Sequence, residues 1–154
     1  MNDLRAAIHK LVARWDREVA LTRPQVASQV RRLLQTVVPA VPEDLVVLYC
    51  ETGGMKDCEM DKNLFSLWPL DKVIAEAQLA PGNRVEFGDF LIDCHRYSLA
   101  FTEGRSEVWI NAYSGNPNDD HRIFDSLTDF FVKYAAATSE DAAFRVLHGL
   151  EEQV

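Results

Sequence analysis

An acidic run over Asp57–Asn63 places an oxygen-bearing side chain at every second position, as the first half of an EF-hand calcium loop does. In such a loop a glycine makes the sharp turn and a bidentate glutamate closes the ligand cage. Those positions fall on Lys62 and Trp68 here, and neither side chain can take the required role. We therefore interpret the run as a solvated acidic loop, and we predict that the protein has no metal site and no cofactor.

A carboxylate, a thiol and an imidazole stand side by side in Asp93-Cys94-His95, which is the chemistry of an activated cysteine nucleophile. Adjacent residues of a strand point to opposite faces, so Cys94 and His95 would not form a productive hydrogen bond there. We interpret Asp93–Arg96 as a turn between two strands. The other three histidines are scattered and lack the spacing of a zinc site. Because no catalytic set emerges, we expect that the protein is not an enzyme.

The acidic run also belongs to a candidate binding surface. Between Pro42 and Asp61 the chain has six acidic residues and a single basic one, Lys56. The paired glycines Gly53-Gly54 allow the backbone to turn, so that part of this charge projects from one loop. A solvated loop beside the end of a helix is the alternative interpretation. Our hypothesis is that a basic protein partner is contacted by Glu51, Asp57, Glu59 and Asp61.

The size and composition of the chain indicate one folded domain. It has 154 residues, of which 47% are hydrophobic, and its three cysteines include no Cys-x-x-Cys pair, which predicts reduced thiols. No apolar run approaches the roughly 20 residues of a membrane-spanning helix. The N-terminus also lacks the uninterrupted apolar region of a secretory signal. We therefore expect a cytoplasmic protein that makes no membrane contact.

Charge is distributed unevenly along the chain, whose formal net charge is −8. Residues 1–36 hold seven basic and three acidic residues, so residues 37–154 hold nine basic residues against 21 acidic ones. This balance opposes contact with a phosphate backbone or an anionic lipid surface. We therefore expect no nucleic-acid partner, and the acidic body of the domain suits a basic protein partner.

The hydrophobic periodicity and the capping signals predict helices at both ends of the chain. The predicted helices are Asp3–Ala20, a helix from the capping box at Thr22 to Val37, a helix opened by Pro42 and ended by Gly53-Gly54, Leu70–Ala77, and two C-terminal helices capped by Ser126 and Ser139. Residues 1–22 are thus an N-terminal amphipathic helix that we expect to pack on a domain of residues 23–154.

Segments rich in aromatic and β-branched residues predict strands between these helices. The predicted strands are Leu64–Trp68, Val85–Ile92, Tyr97–Thr102 and Glu107–Ala112, and composition predicts a loop at Tyr113–Arg122. The last three strands have short connections, which force antiparallel pairing because a parallel crossover needs a dozen residues or more. We predict a single α+β domain whose central, mostly antiparallel meander is flanked by N- and C-terminal helices.

Five strings, in order, resemble the SUKH superfamily, which groups fungal cell-wall-synthesis regulators with many bacterial polymorphic-toxin immunity proteins. The resemblance covers about residues 26–136. Val41–Leu45 is similar to the start of the family's second helix, and Leu48–Gly54 is similar to the paired-glycine end of that helix. The other three strings are similar to the family's short strand, central strand and closing helix, in this order: Leu64–Leu70, Phe87–Asp93 and Ser126–Phe131. The segment before Thr22 lies outside the resemblance.

The resemblance implies an α+β fold and a binding activity, and it supplies no catalytic residue to transfer. On that basis we expect a cytoplasmic immunity protein that binds and neutralises a cognate toxin with a basic domain. The alternative is a regulatory or interaction protein of the same fold that has no toxin partner. Charge alone separates these two functions poorly, because many acidic proteins are simply soluble.

Overall fold

The computed structural model describes residues 2–79, 82, 84–102, 105–112 and 114–150. Helices at both ends of this part of the chain enclose a group of strands. The elements are α1 (Asn2–Trp15), α2 (Ala27–Gln35), α3 (Glu43–Glu51), a 3-10 turn (Lys56–Cys58), β1 (Phe65–Leu67), α4 (Leu70–Leu79), β2 (Arg84–Phe90), β3 (His95–Thr102), β4 (Arg105–Ile110), a second 3-10 turn (Pro117–Asp119), β5 (His121–Phe124), α5 (Leu127–Ala136) and α6 (Glu140–Leu147).

The strands form one five-stranded sheet in the order β1-β2-β3-β4-β5, and every neighbouring pair is antiparallel. Each strand therefore lies beside the next strand in sequence, which confirms the predicted single α+β domain with a central meander. On the core face, Phe65 lies opposite Phe90 and Tyr97 lies opposite Ile110.

The edge strand β5 lies partly where the sequence predicts a loop, so that prediction is wrong for His121 and Arg122. Only Ile123 and Phe124 are buried in β5. Two apolar residues are too few to give a strand periodicity, and β5 is instead held by its pairing with β4. Tyr113, the first residue of the predicted loop, lies outside the described residues.

The N-terminal helix shares the core of the sheet domain. Helix α1 packs against α5 and α3. It ends at Trp15, five residues before the predicted end at Ala20, and the chain then extends to Leu21, which forms a β-bridge with Met55. The buried stripe of α1 has the predicted spacing and consists of Leu4, Ala7, Ile8, Leu11 and Trp15.

The capping box predicted at Thr22 does not form, because the backbone there bonds elsewhere. The Thr22 N–H donates to the Gly54 carbonyl at 2.8 Å, and the Gln25 N–H donates to the Tyr49 carbonyl at 3.3 Å. Helix α2 begins only at Ala27, and Val26 caps it without a side-chain hydrogen bond. Tertiary backbone pairing therefore overrides the local helix signal in residues 22–25.

Aromatic side chains fill the space between the sheet and α5. The Phe130 ring lies in the middle of them, with its centroid 5.0 Å from that of Phe131, 5.6 Å from that of Tyr97 and 5.9 Å from that of Phe65. Such edge and tilted contacts add to the stabilisation from burial. No helix within the described ranges has the length and apolar character needed to cross a bilayer.

Candidate functional site

The acidic loop, which we define as Met55–Asn63, begins at two crowded glycines. The Gly53 N–H donates to the Thr22 carbonyl at 2.9 Å, and a Cβ atom at Gly53 would lie 2.3 Å from the Arg23 carbonyl oxygen. Gly54 has a φ of 93°, and a Cβ there would lie 2.4 Å from the Trp68 carbonyl oxygen. The two glycines therefore allow the backbones of residues 22–23 and 68–69 to pack closely against the start of the loop.

The prediction that these glycines end helix α3 is wrong by two residues. The helix ends at Glu51, and Thr52 is its extended C-cap, whose N–H donates to the Leu48 carbonyl at 3.1 Å. Gly53 and Gly54 follow the helix, and their lack of a Cβ atom leaves room for the backbone of residues 22–23 and 68–69.

The other end of the acidic loop is fixed by Asp61, a residue that is 4% exposed. It accepts hydrogen bonds from Trp15 Nε1 at 3.0 Å and from the Tyr134 hydroxyl. It also accepts from the backbone N–H groups of Asn63 at 2.9 Å and Phe65 at 3.1 Å. Burial raises the pKa of Asp61, and these hydrogen bonds oppose the rise. Asp61 is thus a buried structural residue, which corrects its predicted place on an exposed binding surface.

Between its two fixed ends the acidic loop exposes Asp57 and Glu59 to solvent, together with Lys56 and Lys62. Asp57 and Cys58 both have a φ of 57°, in the left-handed region. The Lys62 N–H donates to Glu18 Oε1 at 2.8 Å, which joins the loop to the segment that follows α1. Within the described ranges, neither Asp57 nor Glu59 takes part in a hydrogen bond or ion pair with another side chain. Both carboxylates are therefore available to a partner.

Glu51 lies at the end of α3, and its side chain is 19% exposed. Its carboxylate pairs with Arg5 Nε at 3.3 Å and with His9 Nε2, both on α1. Of the four residues predicted to contact a partner, Asp61 is buried and Glu51 is engaged with α1. Only Asp57 and Glu59 project freely together.

A surface cavity of about 340 Å³ lies beside the acidic loop, between residues 22–25 and the start of α4. Its charged lining residues are Arg23, Lys56, Asp57 and Asp71. Two cations and two anions give this cavity no preference for a charged ligand.

A second exposed feature adjoins the end of the acidic loop, and we call it the apolar tip. It consists of Leu64, Leu91 and Ile92, which are 37%, 41% and 74% exposed. The Leu91 N–H donates to the Leu64 carbonyl at 2.9 Å, so the loop end and the β2–β3 turn are joined. The φ values of these three residues are 68°, 50° and 50°. The sequence does not predict the tip, because leucine and isoleucine are apolar residues that give no turn signal and the β-branched Ile92 favours a strand.

The structure also corrects the predicted turn between β2 and β3. Strand β2 ends at Phe90, the turn is Leu91–Cys94, and His95 and Arg96 already belong to β3. His95 is buried, with its Nδ1 3.1 Å from the Asn111 carbonyl oxygen, whereas Cys94 is exposed in the turn.

Carboxylates surround the guanidinium of Arg96, near the start of β3. The Arg96 guanidinium pairs with Asp93 at 3.2 Å, Glu76 at 3.3 Å and Glu86 at 3.4 Å. The Arg96 guanidinium carbon also lies 5.3 Å from the Trp68 ring centroid. The Nζ atom of Lys72 lies 4.4 Å from the same ring centroid, so a second cation belongs to this cluster.

The chemistry available in this region is ion pairing and apolar contact. In the part of the chain that the structure describes, no three His, Cys, Asp or Glu residues are grouped to hold a metal ion. Comparisons of the chain with protein-family models and with curated proteins return no match. The resemblance to the SUKH superfamily therefore stays a prediction.

Proposed function

We propose that this protein is a non-catalytic protein-binding module, a cytoplasmic immunity protein that binds and neutralises a basic toxin domain through its acidic loop. The exposed carboxylates of Asp57 and Glu59 make the first contacts, and Glu51 lies at the margin of the surface. The proposal combines this loop with the SUKH resemblance of residues 26–136.

The observation that carries the proposal is the fixation of the acidic loop at both ends. Gly53 and Gly54 join one end to residues 20–25, and buried Asp61 joins the other end to α1 and α5. A loop that is already ordered loses less conformational entropy when it binds than a mobile loop does. Asp57 and Glu59, whose carboxylates are unpaired, are therefore held in place before a partner binds.

The charge of the domain supports the same partner chemistry. Residues 37–154 hold nine basic residues against 21 acidic ones. The negative potential of such a body accelerates its association with a basic surface and disfavours acidic partners. A toxin domain with a cationic active-site cleft, such as a nuclease, has the complementary potential.

Co-expression in bacteria tests this function. Where the adjacent reading frame encodes a large secreted protein, the C-terminal domain of that protein is the probe. We expect the wild-type chain to restore growth to cells that express this domain, and D57N/E59Q to restore it less well. A matched control is D3N/D129N, which removes the same charge from exposed positions in the first turns of α1 and α5.

The outcomes separate the two candidate functions. Full toxicity in the presence of the wild-type chain, or an adjacent frame that encodes no toxin, would contradict the immunity function. The alternative is a regulatory interaction protein of the same fold, and the acidic body supports this candidate equally. It predicts that the chain binds a basic cellular protein through the same loop without any effect on toxicity.

A further inference from the structure

We propose that Glu18 is a positioning residue for partner binding, which holds the main chain of the acidic loop in the conformation that the partner recognises. Glu18 lies in residues 16–21, which follow α1 and which we call the post-helix segment. This segment lies outside the SUKH resemblance of residues 26–136. The inference rests on the proposed function and deepens it, because it gives the N-terminal part of the chain a role in binding.

The post-helix segment is itself attached to the body of the domain. The Val19 N–H donates to the Trp15 carbonyl at 2.8 Å, and Val19 and Leu21 pack partly buried against the core. Leu21 also forms the β-bridge with Met55, which is fully buried. Because the segment is anchored in this way, a hydrogen bond from it can fix a neighbouring loop.

The acidic loop is bonded to this segment near both of its ends. Near the start of the loop, the Lys56 N–H donates to the Ala20 carbonyl at 2.9 Å. Near its end, the Lys62 N–H donates to Glu18 Oε1 at 2.8 Å. Both exposed acidic residues of the loop therefore lie between two attachments to the same short segment.

The Glu18 carboxylate completes the hydrogen bonding at the end of the loop. The Asp61 carboxylate accepts from the backbone N–H groups of Asn63 and Phe65, whereas the Lys62 N–H takes its acceptor from outside the loop. An ionised acceptor makes such a bond stronger than a neutral one does. The bond is exposed, so its loss should loosen the loop and leave the core folded.

Loop order bears on affinity because the partner binds the arrangement in which Asp57 and Glu59 are held together. If only a fraction of the molecules has that arrangement, the apparent Kd rises by the inverse of the fraction. Glu18 therefore acts on binding through the acidic loop and needs no contact with the partner.

Three variants separate this positioning role from the charge of Glu18. E18A removes both the acceptor oxygen and the negative charge. E18Q removes the charge and keeps an acceptor oxygen at the same position. D16A removes the same charge from an exposed side chain two residues away. E18Q and D16A are therefore matched controls for the electrostatic effect of E18A.

Amide hydrogen exchange of the free protein, followed by NMR, measures the order of the loop without a partner. We expect the Lys62 amide to exchange about tenfold faster in E18A than in wild type. In E18Q and D16A it should keep the wild-type rate. The amides of β3, which is paired on both sides, should keep the wild-type rate in all three variants.

Binding to the toxin domain of the adjacent reading frame is the second measurement. We expect the Kd of E18A to rise by about fivefold, which is the effect of losing one exposed hydrogen bond. The Kd values of E18Q and D16A should stay within about twofold of wild type, because each of them loses one charge and keeps the loop ordered.

The possible results distinguish the two proposals. If the wild-type chain does not bind the toxin domain, the proposed function fails and this inference fails with it. If wild type binds and E18A binds as tightly as E18Q, the inference fails alone. An unchanged exchange rate of the Lys62 amide in E18A would also overturn it, and so would faster exchange of the β3 amides, which would show general destabilisation.

Discussion

The Trp15 indole Nε1 donates a hydrogen bond to the buried Asp61 carboxylate at 3.0 Å, which joins the last residue of α1 to the end of the acidic loop. Trp15 is fully buried and lies against Phe65, with ring centroids 6.3 Å apart. Through these two contacts Trp15 couples the N-terminal helix, the first strand and the loop that we propose to bind the partner.

Replacement of Asp61 by Ala should lower the free energy of unfolding by about 3 kcal/mol, because the buried donors of Trp15 and Tyr134 lose their acceptor. Urea denaturation followed by tryptophan fluorescence measures this change. D57N is the matched control, since Asp57 is exposed, and it should change stability by less than about 0.5 kcal/mol. A loss of under about 1 kcal/mol in D61A would contradict the structural role of Asp61.

Stability should depend on pH through the same carboxylate. Burial raises the pKa of Asp61 in the folded state above the ordinary value near 4. A raised pKa means that the stability from this group is present below the unfolded pKa and is lost as pH rises through the folded pKa. D61N lacks this titration, so the free energy of unfolding of wild type should fall relative to that of D61N as pH rises above about 4. Urea midpoints of both proteins at several pH values test the sign, and a rise of wild type relative to D61N would refute it.

Replacement of Gly53 by Ala should destabilise the protein by about 2 kcal/mol or more, because the new Cβ would lie 2.3 Å from the Arg23 carbonyl oxygen. Gly82 provides the control, since a Cβ there meets nothing within 4 Å, and G82A should stay within about 0.5 kcal/mol of wild type. Thermal unfolding of both variants gives the comparison. Equal stability of G53A and G82A would show that the backbone segments are not packed as described.

The helices and the meander are predictable from sequence because their signals are local and repeat over many residues. The buried stripe of α1 has spacings of three and four, and short connections between β2, β3 and β4 leave only antiparallel pairing. Strand β5 has only two buried residues, and that signal is too short for the same reasoning.

The nature of the candidate site depends on contacts between distant residues, which a local pattern does not contain. Asp61 stands in an acidic, polar run, yet its partners Trp15 and Tyr134 are 46 and 73 residues away. The left-handed turn at Leu91 and Ile92 contradicts the local preferences of both residue types, and only the tertiary structure reveals it.

The association rate of the chain with the toxin domain of the adjacent reading frame tests the central claim most directly. It is measured for wild type, D57N/E59Q and the control D3N/D129N at about 20 mM and about 200 mM salt. We predict that D57N/E59Q associates about fivefold more slowly than wild type at low salt, that the gap narrows at high salt, and that D3N/D129N stays close to wild type. Equal association rates for D57N/E59Q and wild type at low salt would contradict the claim that the acidic loop recognises the partner.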